Sequence, residues 1–252
     1  MGFVYPLIVT DLGAVVMNKW VVIFIIVGGV YWFYTDRTHS VATNTTGIEF
    51  EYIVKHTGDG SSGDALPMLV ALHGNGDTPS NFYETALNEI DIPTRIIVVN
   101  GPFKKARGFA WPWSEDDFVT YGDAFDSAVE NLTSEYSTTG KPVLLGFSGG
   151  GTMAYYQAAT HGERYAAIFP VSGSLSKKHL GDREIQREGK VQAYHGKSDS
   201  VVGFGSGKSA VDLLRGKGMR VKFTEFDGGH HGIFKQMKTE ISDAVESVLV
   251  SQ

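Results

Sequence analysis

Residues 142–160 read PVLLGFSGGGTMAYYQAAT. An apolar run typical of a buried strand ends at Gly146-Phe147-Ser148-Gly149-Gly150, and a helix-forming run follows at once. Strand, sharp turn and helix in that order, with glycine two places before and two places after a serine, describe a strained turn. Such a turn has no room for side chains and thrusts its serine hydroxyl outward. The same pattern also suits a plain glycine-rich turn with a solvated serine, but the flanking strand and helix favour a nucleophile. No other G-x-S-x-G occurs in the chain.

Working outward, short apolar runs alternate with amphipathic ones. Strands are expected at 48–55, 67–73, 95–100, 142–147, 166–171, 190–195 and 220–226, and helices at 81–90, 121–136, 149–160, 206–215 and 233–250. Runs such as MLVALH, RIIVVN and VLLGF show no alternation, as expected of a sheet buried on both faces. Strands alternating with helices imply an α/β fold, with a mostly parallel central sheet and helices on both faces. Ligands of such sheets sit beyond the carboxyl ends of the strands. Residues 57–64 read as a hairpin turn and 103–117 as a flexible loop.

A serine hydroxyl needs a base, and the base needs a carboxylate to hold it in one tautomer. After an elbow of this kind they are expected in the order acid, then histidine, each on a loop after a strand. Asp199 follows the strand KVQAYH, and His230 follows RVKFTEF and precedes the last helix. Asp182 and Glu184 lie in a polar stretch, and Asp227 is too close in sequence to His230 to orient its ring. His231 is the rival base, with a helix cap or water as its other role. His161 and His195 read as surface or loop histidines, and His73 as a prop for a loop. The reaction also needs donors for an oxyanion. The amide of Gly149 is one, and the glycine-rich loop Leu72-His73-Gly74-Asn75-Gly76-Asp77 offers Asn75 as the second. Trp111, Trp113 and Phe118 are the expected walls of a binding site, with loop packing as the equal alternative.

Composition narrows the classes. A single sizeable core fits 252 residues. A net charge of −6 without a long basic run argues against nucleic acid. Zero cysteines exclude disulfides, thiolate nucleophiles and cysteine-ligated zinc. Residues 203–209, GFGSGKS, resemble a phosphate loop but have one residue too few between the glycines.

Residues 20–34, WVVIFIIVGGVYWFY, carry no charge. Lys19 precedes them and Ser40-Val41-Ala42 follows as a small-x-small cleavage pattern, so 1–42 is read as a signal peptide or signal anchor ahead of a catalytic domain at 43–252. That reading places the chain outside the cytoplasm, secreted, periplasmic or membrane-anchored. If Met1 is the start, the apolar stretch 3–16 lengthens the run and favours the anchor.

From about Leu66 onward the motifs LHGNGD (72–77), GFAWPWSEDD (108–117), GFSGGGTMA (146–154), VSGSL (171–175), HGKSDSVV (195–202) and GGHHG (228–232) resemble the phospholipase/carboxylesterase family of α/β-hydrolases, which includes acyl-protein thioesterases. The resemblance implies an α/β-hydrolase fold, a Ser148–His230–Asp199 triad, oxyanion amides from Asn75 and Gly149, a small ester substrate, and no metal or cofactor. No protein partner is evident, and N-terminal membrane association follows only from the anchor reading. Family members usually carry Gln where this chain has Gly149, and a single histidine where it has His230-His231. Those departures widen the resemblance to secreted polyester depolymerases and feruloyl esterases. A serine peptidase and a non-catalytic binding module of the same fold are the rival readings. The stretch 172–189 is too short for a cap domain, so the site is expected to be an open cleft.

Overall fold

The strand residues alternate between two buried layers rather than between core and water. Met68, Val70 and Leu72 face one hydrophobic cluster, and Leu69 and Ala71 face the other. This is the arrangement that forces a strand to be apolar throughout. The computed structural model describes residues 19–26, 29–43 and 47–252, those before Asp36 by backbone alone. Two units separate between Arg37 and Thr38.

In the first unit, β1 (Lys19–Ile26) and β2 (Gly29–Asp36) pair antiparallel, with Lys19 opposite Asp36 and Ile26 opposite Gly29. The uncharged run read as a signal or anchor is therefore β-paired here. Among the described residues no helix is long and apolar enough to cross a membrane. The stretch 3–16 and the start at Met17 lie outside the described residues.

The second unit contains β3 (His39–Ala42), β4 (Glu49–Thr57), β5 (Met68–Leu72), β6 (Thr94–Val99), the two-residue strands β7 (Phe103–Lys104) and β8 (Phe109–Ala110), β9 (Val143–Phe147), β10 (Ala167–Val171), β11 (Lys190–Gly196) and β12 (Arg220–Phe226). Its helices are α1 (Pro79–Phe82), α2 (Glu115–Glu135), α3 (Gly149–His161), α4 (Lys177–Leu180), α5 (Phe204–Gly216), α6 (Ile233–Gln236) and α7 (Lys238–Val250). The main sheet runs β12-β11-β10-β9-β5-β6-β4-β3. The strands from β12 to β6 are parallel, and β4 and β3 are antiparallel additions at one edge. Helices α2, α3 and α5 cover one face through Phe125, Met153 and Leu214, while α1, α6 and α7 cover the other through Phe82, Ile233 and Val245. The sheet, its helices and the absence of a large cap match the sequence reading. From β5 the chain runs to β6 on one side and returns to β9 on the other. The crevice beyond the ends of β5 and β9 is therefore the switch point where such sheets bind ligands.

Several boundaries differ from expectation. The helix expected at 81–90 is the one-turn α1 followed by a π-helical turn at Tyr83–Leu87. Helix α2 starts at Glu115 rather than 121, because Ser114 Oγ accepts from Asp117 N–H and the first turn carries Glu115, Asp116 and Asp117. Both features stabilise a helix N-terminus. The expected last helix is broken at Met237 into α6 and α7. The second unit begins at Thr38, five residues ahead of the expected start, since β3 pairs with β4 from His39 opposite Tyr52 to Ala42 opposite Glu49.

Val41 is 5% exposed, and burying such a side chain contributes about 1.5–3 kcal/mol. A chain beginning at Thr38 should therefore melt roughly 3–10 °C above one beginning at Thr43, which loses Val41 and uncovers the edge of β4. Equal melting temperatures by calorimetry would show that β3 adds nothing.

Candidate active site

Strand β9 and helix α3 meet at Ser148, whose φ of 55° and ψ of −115° no L-residue adopts without strain. The glycines around it are spatial requirements. A Cβ on Gly146 would stand 2.1 Å from Gly150 O, and one on Gly150 would stand 2.4 Å from Leu72 O and 2.6 Å from His73 O. The turn is held by Ser148 N–H donating to Val171 O at 2.9 Å and by Thr152 N–H donating to Ser148 O at 2.9 Å. The hydroxyl of Ser148 thus projects from the end of β9 into the crevice.

There it meets His230. The imidazole Nε2 lies 2.9 Å from Ser148 Oγ, and Nδ1 lies 2.7 Å from Asp199 Oδ2. A carboxylate can only accept, so Nδ1 carries the proton and Nε2 is left to accept from the serine. The Asp199 side chain is fully buried, and its Oδ1 accepts from the amides of Val201 and Val202, both at 2.9 Å. The loops after β11 and β12 are brought together by backbone: Ser198 N–H donates to Gly228 O at 3.0 Å, and a Cβ on Gly196 would stand 2.3 Å from the same oxygen. The Phe147 ring, 4.9 Å from that of His230, backs the imidazole. His231 is exposed, with its ring perpendicular to that of His230 at 5.2 Å.

On the other side lies the loop after β5. His73 is fully buried, and its Nε2 accepts from Gly101 N–H at 3.0 Å, so Nδ1–H donates to Gly74 O at 2.7 Å. Burial lowers its pKa, and this neutral ring props the loop, as read from sequence. Gly76 N–H donates to Phe109 O at 2.7 Å and Phe109 N–H to Asp77 O at 2.9 Å, stapling the loop to β8. The amides of Asn75 and Gly149 line the same cleft, and neither has a hydrogen-bond acceptor among the described residues. The cleft, about 560 Å³, also takes in Trp113, Phe118, Thr152, His179, Val201 and Ser206. Among the described residues no cluster of three or more His, Asp or Glu could hold a metal ion.

Two sequence readings change here. Trp111 is not a wall of the cleft: it is 0% exposed and lies under the loop, its Nε1–H donating to His73 O at 2.8 Å while its backbone N–H donates to Asn75 Oδ1 at 2.8 Å. The indole N–H finds its partner inside the core, which draws the ring inward. Trp113, two residues on, is 75% exposed and does line the cleft. His195, read as a surface or loop residue, is fully buried near the end of β11, beside Asp199 and under Gly207 of α5. Phe118, read with the two tryptophans as a wall, also lines the cleft. Sequence reasoning passed over His179 and Thr152, which nothing but their place in the fold brings to the site.

The close approach of α3 to β5 generates a test. Gly150→Ala should cost about 1–3 kcal/mol, because its Cβ meets two backbone oxygens that cannot give way freely. Gly205→Ala, which meets nothing within 4 Å, should be neutral or stabilising by up to about 1 kcal/mol. Urea denaturation measures both, and an unshifted midpoint for Gly150→Ala would mean that the loop yields.

The fold and these motifs have counterparts. Over 116 residues the chain is 32% identical to acyl-protein thioesterase 1 of Neurospora crassa, covering 44% of this chain and 45% of that protein. The match thus spans less than half of that relative's length. The crystal structure of the Bacillus cereus carboxylesterase superposes with a TM-score of 0.65 at 15% identity, covering 79% of this chain and 93% of that one. That of esterase PE8 gives 0.64 at 22% identity, covering 77% and 100%. At those identities the two structures speak for the fold alone. A family model described as Phospholipase/Carboxylesterase matches residues 61–249, most of the chain, and the chain therefore belongs to that family of α/β-hydrolases.

Proposed function

We propose that the chain is a carboxylesterase in which Ser148 is the nucleophile, His230 the general base and acid, Asp199 the group that orients His230, and the amides of Asn75 and Gly149 the oxyanion donors. The observation that carries this reading is the continuous hydrogen-bonded chain from Ser148 Oγ through His230 to Asp199, built on a serine in a strained backbone conformation. His230 Nε2 takes the Ser148 proton as Oγ attacks the ester carbon, and the carbonyl electrons move onto oxygen facing the two amides. Collapse of the tetrahedral intermediate expels the alcohol, which receives the proton from His230. Water then attacks the acyl carbon, losing a proton to His230, and the second tetrahedral intermediate collapses to release the acid as Ser148 Oγ takes that proton back from His230. Throughout, Asp199 holds the Nδ1–H and stabilises the imidazolium.

We further propose short or soluble esters as substrates. The stretch between β10 and β11 forms only the one-turn helix α4, so it contributes no cap domain over the cleft. A bilayer anchor is not part of this proposal. Processing after Ala42 would remove β3 with Val41, so residues 38–42 are assigned to the catalytic unit.

Ser148→Ala and His230→Ala should each lose roughly 10⁴-fold or more in kcat while keeping the fold, and Ser148→Ala should not react with a fluorophosphonate probe. His231→Ala should change kcat by no more than about threefold, since an exposed ring bonded to neither Ser148 nor Asp199 has little to lose. Reversal of the two histidine phenotypes would move the base to His231.

Rates on a series of p-nitrophenyl esters should fall as the acyl chain lengthens beyond what an open cleft can cover. They should not jump when the substrate passes its solubility limit. A rate that climbs steadily with chain length would overturn the short-ester reading.

A further inference from the structure

His195 is a buried imidazole that the proposed mechanism leaves idle, and its surroundings are unusual. Its side chain is 0% exposed. Nε2 lies 2.8 Å from Val202 O and 3.4 Å from Asp199 Oδ2. A carbonyl oxygen can only accept, so Nε2 carries the proton and leans between the two oxygens. Nδ1 is then a bare acceptor, buried with no hydrogen-bond partner among the described residues. The space beside it is closed by α5, where a Cβ on Gly207 would stand 2.2 Å from Nδ1. The Phe204 ring lies 6.0 Å away, edge-on.

An unpaired buried acceptor is unfavourable to stability, and an apolar side chain would suit that side of the pocket better. What an apolar side chain lacks is the Nε2–H. That proton grips the Val202 peptide from its carbonyl side, while the Val202 N–H grips Asp199 Oδ1 from the other. Asp199 is thus fixed through Val202 and approached directly at the oxygen that holds His230. Burial lowers the pKa of His195, which keeps the ring neutral beside the carboxylate.

Resting on the triad reading above, we propose that His195 is a positioning residue for the reaction: its Nε2–H clamps the Val202 peptide and the Asp199 carboxylate in the orientation that His230 requires. The chain tolerates the orphaned Nδ1 because the donor on the other side of the ring is needed. Gly207 is its complement, since the ring fits only where α5 carries no side chain.

The test compares His195→Leu with His195→Gln, whose terminal amide can supply an N–H near the place of Nε2. His195→Leu should lower kcat roughly 10- to 100-fold, the range for a lost hydrogen bond to a charged group. KM should stay within about threefold, and the melting temperature should be unchanged or higher. His195→Gln should recover kcat to within about fivefold of the parent. The proposal is overturned if His195→Leu keeps full kcat, if it unfolds or melts well below the parent, or if His195→Gln falls as far as His195→Leu. Ser148→Ala in the same series separates the two possible failures. Hydrolysis persisting in that variant would remove the triad itself, whereas an inert Ser148→Ala beside a fully active His195→Leu would remove only the clamp.

Discussion

The approach of helix α3 to the end of strand β5 is the constraint on which the site depends. With Gly150 pressed under Leu72 O and Gly146 under Gly150 O, the chain turns from strand to helix with no side chain in the way, and Ser148 is left in a conformation that costs about 1–3 kcal/mol. The same contact sets the Gly149 amide beside the loop that carries Asn75. The proposed nucleophile and the proposed oxyanion donors are therefore products of one packing event between neighbouring parallel strands, β5 and β9, which pair Leu72 with Gly146. The strain is held from outside by Val171 O on Ser148 N–H and by Thr152, whose Oγ1 in turn accepts from Ser174 N–H at 3.2 Å.

Histidines around this crevice differ in role because their surroundings differ. His73 and His195 are buried and kept neutral by desolvation, each donating one proton to a main-chain oxygen. His230 faces a buried carboxylate on one nitrogen and a hydroxyl on the other, so it alone can pass a proton along a line. His231 faces water. The buried charge of Asp199 is tolerable because three donors converge on it, two amides and His230; an unpaired carboxylate at that depth would be strongly destabilising.

The buried strands were legible because a sheet covered on both faces allows no polar alternation, and the elbow because its glycines are required by contact. Asp199 and His230 were read from chain order after that elbow, and hydrogen bonds join them to Ser148. Other features turned on contacts that composition does not carry. Trp111 and Trp113 are both aromatic residues of one loop, and only the free carbonyl of His73 inside the core decides which is drawn in. His195 lies near the end of β11, where the sequence alone does not say which way it faces, and its burial depends on Gly207, a residue of α5. In residues 20–34 a run without charge was read for its hydrophobicity. Its β-branched and aromatic residues, with Gly28-Gly29 between them, also carried the signature of a hairpin.

What remains for substrate choice lies at the rim, because the stretch after β10 is packed down. Leu180 is 3% exposed, and the His179 ring lies 4.6 Å from that of Phe118 on α2. Arg183 pairs with Asp123 of α2, and Asp123 also accepts from Tyr156 OH at 3.1 Å. The exposed ion pair adds little by itself, but together with the buried leucine it ties the segment to α2. A segment held that way does not fold over the cleft as a lid. Selectivity must then come from fixed walls: Trp113 and Val201, 75% and 59% exposed, stand at the mouth, and Phe118 and Phe147 lie deeper. On the proposed esterase reading, the grip on an acyl or alcohol group extends only as far as those rings reach.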